Sequence, residues 1–216
     1  MKACFENFIV DDTNRLAYEA AVKFASESSS LPRLLNLSGV IGGGKTHLLR
    51  AIQYDIEMKS CRKVELVDGA HLIEQYIEIL KTTQHTEYPI KDIYPLYADL
   101  DVLLVDDIEC LIGKEYTQQV FADFLVAMLR EGKSVAFTTY MPVAEGELTK
   151  LNSYLNEQQV SYEMVHISEP SMELKCKFLE EYSLSEEEKL EIASSVTSYR
   201  NLRAVMNYKM LLERIK

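Results

Sequence analysis

The amino-acid sequence predicts an α/β fold in which a parallel five-stranded sheet is flanked by helices and followed by a small helical lid. Three observations carry this. Short apolar runs alternate with stretches of helical spacing up to Ile167. A strand-helix order of this kind demands parallel pairing, because each crossover helix covers a face of the sheet. After Pro170 the chain is charged and helical, with no strand pattern. The expected division is residues 1–167 for the sheet domain and 168–216 for the lid.

The elements follow in order. Asn14 to Ser28 has helical spacing, with Thr13 or Asp12 as cap and Leu16, Ala17, Ala20, Ala21 and Phe24 on one face. Leu34 to Ser38 is a short buried strand that runs into a glycine-rich loop. Lys45 to Met58 returns to helical spacing, with Leu48, Leu49, Ile52 and Ile56 inward. Lys63 to Val67 is a second strand, and Asp68 caps a helix carrying Leu72, Ile73, Tyr76, Ile77 and Leu80. Thr82 to Asp92 is polar, contains Pro89 and reads as a loop. Asp101 to Val105 is the most apolar strand, as a central parallel strand should be. Thr117 to Glu131 is a helix closed by Gly132. Ser134–Thr138 and Met164–Ile167 complete the sheet. In the lid, Ser185 and Glu188 form a capping box.

Bulk properties narrow the function classes. With 47% apolar residues in 216, the chain can build a real core. The formal charge of −11 and sequence pI near 4.9 oppose direct binding to double-stranded DNA and to anionic membrane. Cys4, Cys61, Cys110 and Cys176 are scattered, without zinc spacing, and read as reduced thiols. The N-terminus is too polar for a signal peptide, and no apolar run approaches the ~20 residues of a membrane span. A soluble, cytoplasmic protein is expected.

Chemistry concentrates in two places. Gly39-Val40-Ile41-Gly42-Gly43-Gly44-Lys45-Thr46 follows a strand and opens a helix. Phosphate oxygens need many inward backbone N–H groups, which Gly42, Gly43 and Gly44 supply without obstructing side chains, at the positive end of a helix. Lys45 reaches the β- and γ-phosphates and Thr46 offers its hydroxyl to Mg²⁺. The ligand expected is ATP or ADP with Mg²⁺. The second place is Val102-Leu103-Leu104-Val105-Asp106-Asp107, an apolar strand ending in two carboxylates. Ligands bind at the carboxyl ends of such strands. Asp106 is the candidate for the Mg²⁺ shell and Asp107 for orienting the attacking water. A plain strand-end turn with an Asp cap is the alternative.

These stretches resemble the DnaA-type AAA+ ATPases. Phe5-Glu6-Asn7-Phe8-Ile9-Val10 and Asn14-Arg15-Leu16-Ala17 are similar to that family's opening segment, Gly44-Lys45-Thr46-His47-Leu48-Leu49 to its phosphate loop and helix, and Asp101 to Glu115 to its acidic strand and following turn. Ser198-Tyr199-Arg200-Asn201-Leu202-Arg203 resembles the lid helix bearing the second sensor arginine. The resemblance implies an AAA+ fold. It implies that Val10 and Asn14 lie near adenine, with His47 beside the nucleotide. Arg200 reaches the γ-phosphate from the lid, and Thr138, with Thr139, stands at the first sensor position, where a hydroxyl could hold a water. Tyr140 occupies the place where the family commonly has Asp.

The departures from the family shape the functional expectation. Leu151-Asn152-Ser153-Tyr154 matches the arginine-finger stretch but has Tyr154 in place of the arginine, which removes a charge worth roughly 10³-fold or more in rate. No stretch of the sequence resembles a DNA-recognition helix, so direct reading of duplex DNA is not expected. Tyr88 to Leu100 has Lys91 as its one basic residue. The layout is similar to a DnaA paralogue of Hda type, and the expectation is an ATP-binding regulator of chromosomal replication initiation. It would act through nucleotide-dependent contacts with a DnaA initiator or helicase-loading machinery, hydrolyse ATP slowly or not at all, and be able to form homo-oligomers. The alternatives are an active AAA+ ATPase of helicase-loader type with Arg130 as its finger, a small-molecule phosphotransferase, and a piece of a longer initiator.

Overall fold

The computed structural model describes residues 3–26, 32–82, 90–143, 146–198 and 200–207. Among them, eight α-helices and five strands alternate: α1 (Arg15–Ala25), β1 (Leu34–Gly39), α2 (Lys45–Lys59), β2 (Val64–Asp68), α3 (Gly69–Thr82), α4 (Ile90–Tyr97), β3 (Val102–Asp106), α5 (Glu115–Arg130), β4 (Ser134–Thr139), α6 (Thr149–Glu157), β5 (Glu163–Ile167), α7 (Met172–Leu179) and α8 (Glu186–Ser195). Residues 200–207 form a final helical stretch. Short 3-10 turns occupy Phe5–Asn7, Ile108–Leu111 and Gly146–Leu148.

All strand pairings are parallel and the order is β2-β3-β4-β1-β5. Side chains alternate across β3, so its two faces feed two cores. Leu103 and Val105 pack with α3, α4, α5 and α6 residues such as Leu72, Tyr97, Phe121 and Leu151. Val102 and Leu104 pack with Ala17, Phe24, Leu48 and Ile52 of α1 and α2. A separate small core, Phe178, Leu179, Ala193, Val196, Leu202 and Met206, holds the lid together. Partly buried Ile9 packs against it from the N-terminal segment.

The elements differ from the sequence expectation mainly at their ends. Helix α1 starts at Arg15, and neither Thr13 nor Asp12 caps it; Asn14 holds that position. Its buried face is Ala17, Ala20, Ala21 and Phe24, spaced i, i+3, i+4, i+7. Leu16 falls about 100° from that face and is 67% exposed. On α3, Leu72, Ile73 and Tyr76 turn inward while Ile77 is largely exposed; the side chain of Leu80 lies outside the described residues. Helix α5 begins at Glu115, two residues earlier than its apolar spacing suggested, and Gly132 follows it at φ +77°. The segment read as a loop from Thr82 to Asp92 is helical at both its described ends, since Thr82 closes α3 and Ile90 opens α4. His85, Tyr88 and Pro89 lie outside the described residues. Asp68 caps α3 as expected, with Oδ1 accepting from the Ala70 and His71 amides, and the Ser185–Glu188 capping box is formed.

Candidate nucleotide site at the carboxyl edge of the sheet

Strand β4 lies between β1, which feeds the glycine loop, and β3, which feeds the acidic turn. The carboxyl ends of the three strands therefore share one edge, where ligands of open α/β sheets sit. Gly42 and Gly44 have positive φ, +76° and +107°. A Cβ on Gly42 would come within 2.7 Å of the Arg200 Cβ and 3.1 Å of the Ser198 Oγ, and one on Gly44 within 2.8 Å of the Phe8 ring. The loop is thus pressed between the lid on one side and the N-terminal segment on the other.

Lys45 begins α2, and its Nζ donates to the Gly39 carbonyl at 2.6 Å and the Val40 carbonyl at 3.0 Å. Burial lowers its pKa; the charges of Glu109, Asp106 and Asp107, in that order, oppose the shift. Thr46 is exposed in the first turn of α2. His47 packs on the N-terminal segment. Its Nε2 is 3.0 Å from the Cys4 carbonyl and its ring meets Phe8 edge-on at 5.2 Å. Burial depresses its pKa.

Across the edge, Thr138 is 0% exposed. Its hydroxyl donates to Asp106 Oδ1 at 2.7 Å and accepts from the Asp107 amide at 2.8 Å. The hydroxyl considered for holding a water is therefore committed to the acidic pair, which it orients from the next strand. Thr138→Val keeps the shape but leaves the Asp107 N–H unpaired. A loss of about 1–3 kcal/mol is expected in urea denaturation, together with weaker Mg²⁺ dependence of any nucleotide binding.

Asp107 adopts the left-handed region, φ +60°, and caps the 3-10 turn through the Glu109 amide. Gly69 makes room for this bend: a Cβ there would lie 2.4 Å from the Asp107 carbonyl oxygen. Glu109 was not singled out from the sequence. Its carboxylate accepts the Tyr140 amide just past β4. Burial, then hydrogen bonding and charge from Asp107, push its pKa up to about 7. The only sequence signal was an acidic residue three after Asp106, which reads as an ordinary 3-10 turn residue until Tyr140 is seen beside it.

A folded-state pKa above the unfolded value means that the native chain holds a proton the unfolded chain releases. Stability should therefore fall as pH rises from about 4.5 to about 7. Glu109→Gln should flatten that fall, so its stability relative to the natural chain should rise between about pH 5 and about pH 7.5 in urea melts.

The N-terminal segment is held by Asn14, 2% exposed, whose Oδ1 accepts from the Asp11 amide and whose Nδ2 donates to the Ile9 carbonyl, both at 3.0 Å. Asn14 thereby shapes the turn carrying partly buried Val10. Asp11 joins this turn to the lid: its carboxylate accepts from Thr13 and from the Ser171 hydroxyl at 2.6 Å. Arg200 lies at the start of the final helical stretch; its Cβ meets the loop while the residue is largely exposed. Tyr154 is partly buried against the main core, so it does not stand out as a finger. Arg130 ends α5, at the opposite edge of the sheet, and donates to Gln158 at 3.3 Å.

The five-stranded parallel sheet, the glycine loop after β1 and the acidic turn after β3 define an AAA+ module of the phosphate-loop type. The chain belongs to the bacterial DnaA ATPase-domain family, whose model matches residues 1–161. It is similar to the chromosomal replication initiator protein DnaA of Borreliella afzelii (strain PKo), 28% identical over 208 residues that cover 96% of this chain and 41% of that protein. The chain spans under half the length of the curated relatives it matches first. Domain III of the Thermotoga maritima replication initiation protein DnaA shares the fold with a TM-score of 0.83 at 22% identity, covering 99% of this chain and 90% of that one. The replication initiator DnaA bound to AMPPCP and single-stranded DNA does so with a TM-score of 0.81 at 24% identity, covering 97% and 65%. No helix among the described residues is long and apolar enough to cross a membrane.

Proposed function

We propose that this chain is an ATP-binding, DnaA-like regulator of chromosomal replication initiation that works through nucleotide-dependent protein contacts. The observation that carries the reading is the seating of the lid on the loop: Ser198 and Arg200 lie against Gly42, whose backbone would cradle phosphate. A bound nucleotide would then sit where sheet domain (residues 1–167) and lid (168–216) meet, and its phosphates would bias the angle between them. Gly42, Gly43 and Gly44 would hold the phosphates, Lys45 the β- and γ-phosphates, and Arg200 the γ-phosphate from the lid. Thr46 and Asp106 would hold Mg²⁺, and Asp107 would orient water. Val10, in the turn set by Asn14, would face adenine, with His47 beside the nucleotide and against the Cys4–Phe8 segment that leads into that turn. The DnaA relative bound to AMPPCP supports an adenine nucleotide as ligand.

The acidic charge favours protein over duplex DNA as partner. The partners proposed are a DnaA initiator or the helicase-loading machinery, and the place of action is the cytoplasm. With Tyr154, an uncharged side chain partly buried against the core, at the finger position, turnover would be slow. The test is binding of the chain to full-length DnaA initiator and to replicative helicase with ATP, with ADP and without nucleotide. One partner should bind at least ~10-fold differently between ATP and ADP, about 1.4 kcal/mol of coupling. Equal affinities in all three conditions would refute nucleotide control.

A further inference from the structure

We infer that Glu109 is the proton acceptor of this site, the carboxylate that takes a proton from the water attacking the terminal phosphorus of bound MgATP, with Asp107 as its orienting neighbour. This deepens the ATP-binding reading and rests on it. Three observations meet at this side chain. Of the three carboxylates on the edge, Glu109 contributes most to the field at Lys45, the group proposed to hold the terminal phosphates. Its Oε1 accepts from the Tyr140 amide, which ties the carboxyl on the β3 turn to the end of β4. Asp107, by contrast, is exposed, and its Oδ1 is occupied in capping the Glu109 amide.

The titratable groups facing Glu109 are Asp107 from the β3 turn, Cys110 from its own 3-10 turn and Lys45 from α2. Asp68, at the end of β2, lies within electrostatic range of Cys110. A half-buried carboxyl next to a second one holds a proton more tightly than an ordinary glutamate, which brings its basicity close to that needed at neutral pH. In the step, the water oxygen bonds to the γ-phosphorus as the bond from that phosphorus to the bridging oxygen breaks. ADP leaves with that bond's electron pair, the water proton passes to Glu109, and inorganic phosphate is the second product.

The experiment compares the natural chain with Glu109→Gln, Glu109→Asp and Asp107→Asn by calorimetry with MgATP and by single-turnover hydrolysis at saturating MgATP across pH. Glu109→Gln retains an oxygen for the Tyr140 amide. It should bind MgATP within about 3-fold of the natural chain and melt no lower at neutral pH, yet hydrolyse about 100-fold more slowly. The natural chain's rate should rise with pH through neutrality, and Glu109→Gln should lose that rise, whereas Glu109→Asp recovers part of the rate. Equal hydrolysis by Glu109→Gln, a pH slope lost only in Asp107→Asn, a joint loss of binding and rate, or no hydrolysis by the natural chain at any pH would each overturn the assignment. Absence of MgATP binding by the natural chain would instead overturn the reading beneath it.

Discussion

Lys45→Ala should weaken MgATP binding by about 100-fold, equivalent to about 2.7 kcal/mol. The size follows from the surroundings of the ammonium. Asp106, Asp107 and Glu109 share the edge with it, so a triphosphate that arrives without Lys45 meets three carboxylates. Mg²⁺ can offset part of that repulsion but cannot donate a hydrogen bond. In the structure Lys45 is already turned into the loop, held by the Gly39 and Val40 carbonyls. A bound phosphate has only to displace those two contacts, which the pocket walls preorganise. The variant should keep its fold, because the lost bonds are to loop carbonyls that water can satisfy. Calorimetric titration with MgATP and a melting curve for the same sample measure both parts. Affinity within about 3-fold of the natural chain would mean that phosphate is not held here.

Gly39→Ala should be the most damaging small substitution in the sheet. Gly39 ends β1 at φ +145°, paired with Ile167 of β5. A Cβ there would lie 2.3 Å from the Ile167 carbonyl oxygen and 2.8 Å from the Ile167 Cβ. The oxygen belongs to backbone and accepts from the Val40 amide, so it cannot step aside without opening the β1–β5 ladder. A loss of about 3 kcal/mol is expected, which for a chain of this size lowers the melting temperature by roughly 6–12 °C. Gly113→Ala is the control. Its φ is also positive, +71°, in the left-handed helical region, but nothing lies within 4 Å of the added carbon, so only the left-handed backbone strain of about 1–2 kcal/mol remains. If the two variants melt together, the close approach of β1 to β5 is not what requires glycine at residue 39.

The two predictions separate two kinds of information in the chain. Lys45 was legible because a glycine run, a lysine and a threonine are contiguous, and their chemistry depends on a few neighbouring backbone groups. The acidic strand was legible for the same reason: five apolar residues followed by Asp106 and Asp107 announce a buried strand with a polar end. Helix faces were read well where i, i+3, i+4 spacing was unambiguous, as in α2. Leu16, expected on the buried face, points outward, because an apolar residue at the border of that face is placed only by the rotation of the packed helix; Ile77 on α3 is exposed for the same reason.

Glu109 belongs to the second kind. Its neighbour Tyr140 lies 31 residues away, beyond the whole of α5. The pairing exists because β4 inserts beside β3, a choice made by the competition of all strand edges for partners. The same insertion commits Thr138 to both aspartates. Likewise, the packing of Arg200 against Gly42 depends on how the lid's own core settles on the sheet domain. What the sequence determined alone is the set of local devices: a phosphate loop, an acidic strand end, capped helices and an acidic surface. What the tertiary structure decided is which of them face one another, because strand order and lid docking are set by contacts between residues far apart in the chain, and no short window of sequence contains both members of such a contact.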